Sequence, residues 1–220
     1  MKRIFTITAL LTMSFFMACA QTHTEKEAEY LKTITLRADK ILTPLHLSDS
    51  VKYRKTRDII IFQYLNLNAI HEGKNIAVKE EKAKTALDKT KIESRLKAIE
   101  ENASQKLSVL HNKFLTGLEE NLTNEQVELV KNGMTYNVLN VTYKAYQDMI
   151  PALKTSEKEQ ILTWLTEARE LAMDAGTSDG KHHIFGKYKG RINNYLSKAG
   201  YDLQKERKDW EERFKEAKSN

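Results

Sequence analysis

The side chains best suited to holding a ligand lie close together near the end of the chain. Within Lys181–Tyr201 (KHHIFGKYKGRINNYLSKAGY), His182, His183, Lys187, Lys189, Arg191 and Asn194 supply donors, acceptors and positive charge, and Gly186 and Gly190 sit among them. Imidazole and amide groups exchange hydrogen bonds with hydroxyls, while guanidinium and ammonium groups suit carboxylates. Wound as a helix, the segment places Ile184, Phe185, Tyr188, Ile192, Tyr195, Leu196 and Ala199 on one apolar stripe. His182, His183, Gly186, Gly190, Asn193 and Asn194 fall on the opposite face. A glycine inside a helix costs about 1 kcal/mol relative to alanine. Without a Cβ it lets another backbone or a ligand lie against the helix. The expectation is a binding hollow formed by His182, His183, Gly186, Lys187, Lys189, Gly190, Arg191 and Asn194. The competing reading is that the glycines break the helix into short turns and the polar residues stay in water.

Other constellations carry less chemistry. Tyr188 and Tyr195 lie on the apolar stripe and read first as core, but a tyrosine near Arg191 and a histidine also suits proton removal next to a carboxylate, the arrangement of a uronate lyase. Glu167, Glu170 and Asp174 share a helix face, but that face lies opposite Ile161, Leu165, Ala168 and Ala172 and is expected in water. Of six histidines, His23, His46, His71 and His111 are scattered. His182 and His183 are adjacent, point about 100° apart on a helix and cannot readily share one ion. No metal and no cofactor is expected. No nucleophile motif or phosphate-cradling loop is present. Trp164 and Trp210 stand beside apolar neighbours and read as core.

These residues need elements to position them. Two prolines and eight glycines in 220 residues, with abundant Lys, Glu, Leu and Ala, are a helical composition. The fold expected is all-α, a helical bundle with a long antiparallel N-terminal hairpin and a C-terminal cluster of shorter helices. Met1–Ala20 reads as an export signal: Lys2 and Arg3 precede an apolar run, Ile4–Ala18, too short to span a membrane. Ala18-Cys19-Ala20 fits the cleavage pattern, and Phe16-Met17-Ala18-Cys19 also reads as a loose lipobox that would leave a lipid anchor on Cys19. Residues 21–220 then form a single helical domain, with long helices over 24–118 and the cluster over 122–218. Within the first part the expected helices are Thr24–Leu42, Val51–His71 closed by Gly73, and Val78–Leu118. In the second, Thr123 with Gln126 forms a capping box, and Gly133 ends that helix. Tyr136, Val138, Val141 and Tyr143 would suit a strand, but continuation through Tyr146 and Met149 at helical spacing makes the stretch from Thr135 a further helix, ended by Pro151. Ser156 with Glu159 opens the next, which Gly176 closes. Ser178 caps the polar segment, Gly200 ends it, and Asp202 caps the last helix. The formal charge of +6 falls to +4 without Lys2 and Arg3. It permits an acidic partner without demanding one, and no basic block interleaved with aromatics suggests nucleic acid.

Three runs carry a resemblance: LTNEQVELVKNGMTYNVLNVTYKAYQDMIP (Leu122–Pro151), WLTEARELAMDAG (Trp164–Gly176) and FGKYKGRINNYLSKAGYD (Phe185–Asp202). Together they resemble an exported, all-helical family of Bacteroidetes associated with polysaccharide utilisation and considered sugar-binding. That resemblance implies a periplasmic or secreted protein, or an outer-membrane lipoprotein, whose partner is a carbohydrate. It carries over no catalytic residues. Leu122-Thr123-Asn124-Glu125-Gln126 also resembles the L-T-x-x-Q motif of periplasmic helical-hairpin chaperones, although it is equally a capping box. The function expected is binding of a glycan, acidic if Lys187, Lys189 and Arg191 meet it. The alternatives are a lyase or hydrolase acting on uronic-acid polysaccharide, and a chaperone-like helical protein.

Overall fold

The structure, a computed structural model, describes residues 25–84 and 88–219. The expected export signal Met1–Ala20 and the acylation candidate Cys19 lie outside the described residues. Those residues form α-helices, one short 3-10 turn and no strand, so the fold is all-α. The helices are α1 (25–42), α2 (Ser50–Lys82), α3 (Lys89–Glu119), α4 (Asn124–Met134), α5 (Val138–Met149), α6 (Thr155–Met173), α7 (Ser178–Lys198) and α8 (Leu203–Ser219). None of them is long and apolar enough to cross a membrane.

The chain divides into two compact units, Met1–Leu65 and Asn66–Asn220, with the boundary inside α2. In the first unit, Ile34, Ala38, Ile41 and Leu42 of α1 and Ile60 and Tyr64 of α2 are buried. Tyr30 Oη donates to the Tyr64 carbonyl at 3.2 Å, and Tyr53 Oη donates to Asp39 at 2.7 Å. Pro44 follows α1, as its fixed φ requires, and is the middle residue of the 3-10 turn Thr43–Leu45.

The second unit departs from the pattern at several helix ends. Gly73 does not close α2; the helix runs on through it to Lys82. An isolated glycine costs about 1 kcal/mol, and with no proline or αL residue beside it the helix continues. The helix expected over Val78–Leu118 is therefore two pieces, the second beginning at Lys89 after Asp88 caps the Thr90 amide at 3.2 Å. Ion pairs join α2 to α3: Lys74 with Glu100 at 3.4 Å, and the buried Glu81 with Arg95 at 3.2 Å. On α2, Phe62, Leu65 and Ile76 are exposed.

Thr123 and Gln126 form the expected capping box at α4. Between α4 and α5, Tyr136 and Asn137 take positive φ values of 56° and 58°, so the helix expected from Thr135 starts instead at Val138. Asparagine tolerates this region, whereas for tyrosine it is strained. At α6 the cap is Glu157, which accepts from the Lys154 amide at 2.8 Å, in place of the expected Ser156 and Glu159. At α7, Thr177 Oγ1, and not Ser178, accepts from the Gly180 amide at 3.0 Å. Gly200 ends α7 with φ +98°, and Asp202 caps α8, both as expected.

α6 is the central helix of this unit, packed on α4, α5 and α7. Its stripe, Ile161, Leu165, Ala168 and Ala172, is fully buried with Phe185, Ile192 and Leu196 of α7 and with Leu139, Tyr146, Ile150 and Leu153. Each large apolar side chain removed from water stabilises the fold by about 1.5–3 kcal/mol. Phe185→Ala is expected to cost about 3–5 kcal/mol in urea unfolding. One position along, a Cβ on Gly186 meets nothing within 4 Å, so Gly186→Ala is expected to raise stability by roughly 0.5–1 kcal/mol.

Candidate functional site: a polar groove at the end of α6

Sequence reasoning did not single out Arg169, yet it organises this region. It falls beside the apolar stripe of α6 and is 3% exposed. A buried guanidinium must satisfy five N–H groups. Nη1 and Nη2 donate to the two Glu128 oxygens at 2.7 and 3.0 Å, and Nη1 also reaches Asn132 Oδ1 at 2.9 Å. Nε and Nη2 share Glu170 Oε1 at 3.2 and 2.9 Å. Burial by itself would favour the neutral form, but the Glu128 and Glu170 carboxylates outweigh it and hold the Arg169 pKa above its ordinary value. The other Glu170 oxygen lies 3.2 Å from Lys131 Nζ and 3.7 Å from His111 Nε2.

His111 stands between two carboxylates. Its Nδ1 is 2.9 Å from Asp174 Oδ2, the distance of an ion pair. The approach is off the line of a hydrogen bond, which leaves Nδ1 buried without an aligned partner, and Asp174 Oδ1 is likewise buried without one among the described residues. Asp174 holds the His111 proton on above the ordinary value of 6.5; burial and Lys131 oppose this, and Glu170 adds to it. His71 completes the arrangement by donating from Nε2 to the Asp174 carbonyl at 2.7 Å. Its ring passes so close to the backbone that a Cβ on Gly176 would lie 2.7 Å from His71 Cδ2. Gly176 is thus not the expected C-cap of α6, which ends at Met173 with Asp174 as its cap. Its bare backbone makes room for an imidazole.

His71, His111, Glu170, Asp174 and Gly176 border a groove of about 1,020 Å³ between the second half of α2, α3, the end of α6 and the start of α7. Asn68, Asn75, Ser104, Ser108 and Thr177 add neutral amides and hydroxyls to its lining, and Glu72, Lys74 and Glu100 add charge. Among the described residues, no group of three or more His, Cys, Asp or Glu side chains is placed to hold a metal ion.

The structure separates the residues that sequence spacing grouped on α7. His183 lines the groove. Lys189 lines a smaller cleft with Asn193 on α5, α7 and α8. His182 stacks on Tyr136 with ring centres 5.9 Å apart. Arg191 lies over the Trp164 ring at 4.4 Å and 3.6 Å from Glu167. Lys187 and Asn194 are exposed, and a Cβ on Gly186 or Gly190 would meet nothing within 4 Å. The expectation that Glu170 and Asp174 face open water fails, because α3 and α4 cover that flank of α6 and leave them 27% and 20% exposed. Only Glu167 of the three is well exposed. His71 and His111, scattered in sequence, meet at Asp174. The available signal was Arg169, a cation four residues after Leu165 and three before Ala172 at the edge of an apolar stripe.

Fold and groove together define an all-α protein with a large polar groove against its central helix. The chain belongs to the DUF3826 family, described as a protein of unknown function, whose model matches residues 31–216. No curated protein matches it.

Two measurements test the site. Gly176→Ala should cost about 1–3 kcal/mol by forcing His71 off the backbone, read by urea unfolding. His111 has a raised folded pKa, so the stability it confers is fully present below about pH 6.5 and lost as pH rises through that higher value. The stability difference between the protein and His111→Asn should therefore shrink on raising the pH through this window.

Proposed function

We propose that this chain is an exported glycan-binding protein and that the glycan lies in the groove at the end of α6. The observation that carries the reading is the lining: neutral amides and hydroxyls beside three imidazoles, in a volume of about 1,020 Å³. Sugar hydroxyls both donate and accept, and such groups answer them in both senses. Pockets that enclose small ligands typically run to about 300–1,000 Å³, so a short oligosaccharide fits. The carboxylates Glu72, Glu100, Glu170 and Asp174 in the lining disfavour a polyanion there and support a neutral chain. An acidic chain would be better met by Lys187 and Arg191, outside the groove on the exposed side of α7.

The lyase or hydrolase reading has less support. A general base needs a free lone pair, and the carboxylate beside His111 favours its protonated form. Tyr188 is held protonated too: burial and Glu167 both push its pKa up. A chaperone would use an open concavity of apolar side chains, whereas amides, hydroxyls, imidazoles and carboxylates are set throughout the lining of this groove.

Affinity electrophoresis through neutral and acidic polysaccharides tests the reading. Ser108→Trp, which fills the groove, and His183→Ala are expected to weaken retardation by a neutral glycan by about tenfold or more. Gly186→Leu on the open face should match the parent protein. Loss with Gly186→Leu alone would move the ligand to the outer face of α7, and no retardation by any glycan would remove the proposal.

A further inference from the structure

A second cavity, of about 380 Å³, lies between α5, α7 and α8. Its chemistry differs from that of the groove. Val141, Ala145, Met149 and Leu203 give it an aliphatic surface, and the rings of Tyr146 and Trp210 border it. Two cations, Lys189 and Arg207, also line it, and no carboxylate does. Arg207 Nε is paired with the exposed Glu211 at 3.0 Å, while its terminal nitrogens and Lys189 Nζ have no hydrogen bond to a described residue.

One further group is oriented. Tyr146 Oη donates to Asn193 Oδ1 at 2.7 Å and lies 3.4 Å from the Lys189 carbonyl. Burial pushes the Tyr146 pKa up to about 12, so the hydroxyl keeps its proton and remains the donor. With its oxygen engaged in this way, Asn193 keeps its amide NH₂ as the group still able to donate. An apolar slot with aromatic borders, two cations and an amide donor complements a flat apolar body carrying one negative charge.

We infer that this cleft binds a small aromatic carboxylate, its ring between Trp210 and the aliphatic surface and its carboxylate at Lys189, Arg207 and Asn193. The site is independent of the groove, so either can fail without the other. A sugar acid fits less well, since its hydroxyls would be buried against Val141, Met149 and Leu203 without partners.

Isothermal titration with 2-naphthoate, its neutral analogue 2-naphthamide and galacturonate tests the assignment on the full chain. Naphthoate should bind about tenfold or more tightly than naphthamide, and the Lys189→Gln/Arg207→Gln pair should lose a similar factor with the carboxylate only. Both side chains are exposed, so an unchanged melting curve will show that the variant is folded. Trp210→Leu should weaken both naphthyl ligands. Equal affinity for naphthoate and naphthamide would reduce the cleft to an apolar patch and overturn the proposal. Tighter binding of galacturonate, or no binding of naphthoate at millimolar concentration, would overturn it as well.

Discussion

A guanidinium removed from water has no partial solution. If one of its five N–H groups lacks an acceptor, the desolvation cost is not recovered, and removing one partner of a buried ion pair typically costs about 3–5 kcal/mol. Arg169 meets the condition in full with acceptors from two helices: Glu128 and Asn132 on α4, four residues apart, and its neighbour Glu170 on α6. The fork geometry fixes the rotation of α4 about α6 more narrowly than apolar packing would, because a leucine tolerates small rotations and a bidentate pair does not. Its consequences extend along the last turn of α6. Glu170, held on one oxygen by Arg169, keeps the other for Lys131 and His111, and Asp174 one turn later takes the far side of the same imidazole. Cation and anion alternate from Glu128 to Asp174, so no charge faces another of its own sign alone.

That alternation explains why the region was hard to read from sequence. Repeats of three and four residues report which face of a helix is apolar, and they located the stripes of α6 and α7, down to Leu165 and Ile192 at no exposure, except for Ala199, which is exposed at the end of α7. The Thr123 box, Gly200 and Asp202 were legible for a similar reason: each is a local exchange between a side chain and a backbone within a few residues. Glu170 and Asp174 belong to another category. Their surroundings come from His111, Lys131 and His71, the last 103 residues away from Asp174, and no local pattern says that α3 and α4 will cover a polar flank. A helix with two buried faces, one dry and one charged, looks from sequence like a helix with one. The same limit applied at α2, where Gly73 looked like a stop but had no left-handed residue beside it to enforce one.

The glycines show where a sound physical rule needs coordinates. A missing Cβ matters when something comes close enough to collide with one, and that criterion selects Gly176, against which the His71 ring rests. Gly186 and Gly190 fail it within the described residues, and nothing in the structure explains them. Their position on α7 can still be specified. At about 100° per residue, Gly190 and Gly186 fall between the direction of His183, which lines the polar groove, and that of Asn193, which lines the apolar cleft. A side chain at either position would rise from the strip of helix that divides the two cavities. One cavity is lined by amides, imidazoles and carboxylates and borders the Arg169 network; the other is lined by aliphatic and aromatic side chains with two cations and borders Tyr146. Because both are mounted on α7, and α7 is anchored by Phe185, Ile192 and Leu196 in the core of α6, neither can change its spacing from the other without disturbing the best-packed interface in this unit.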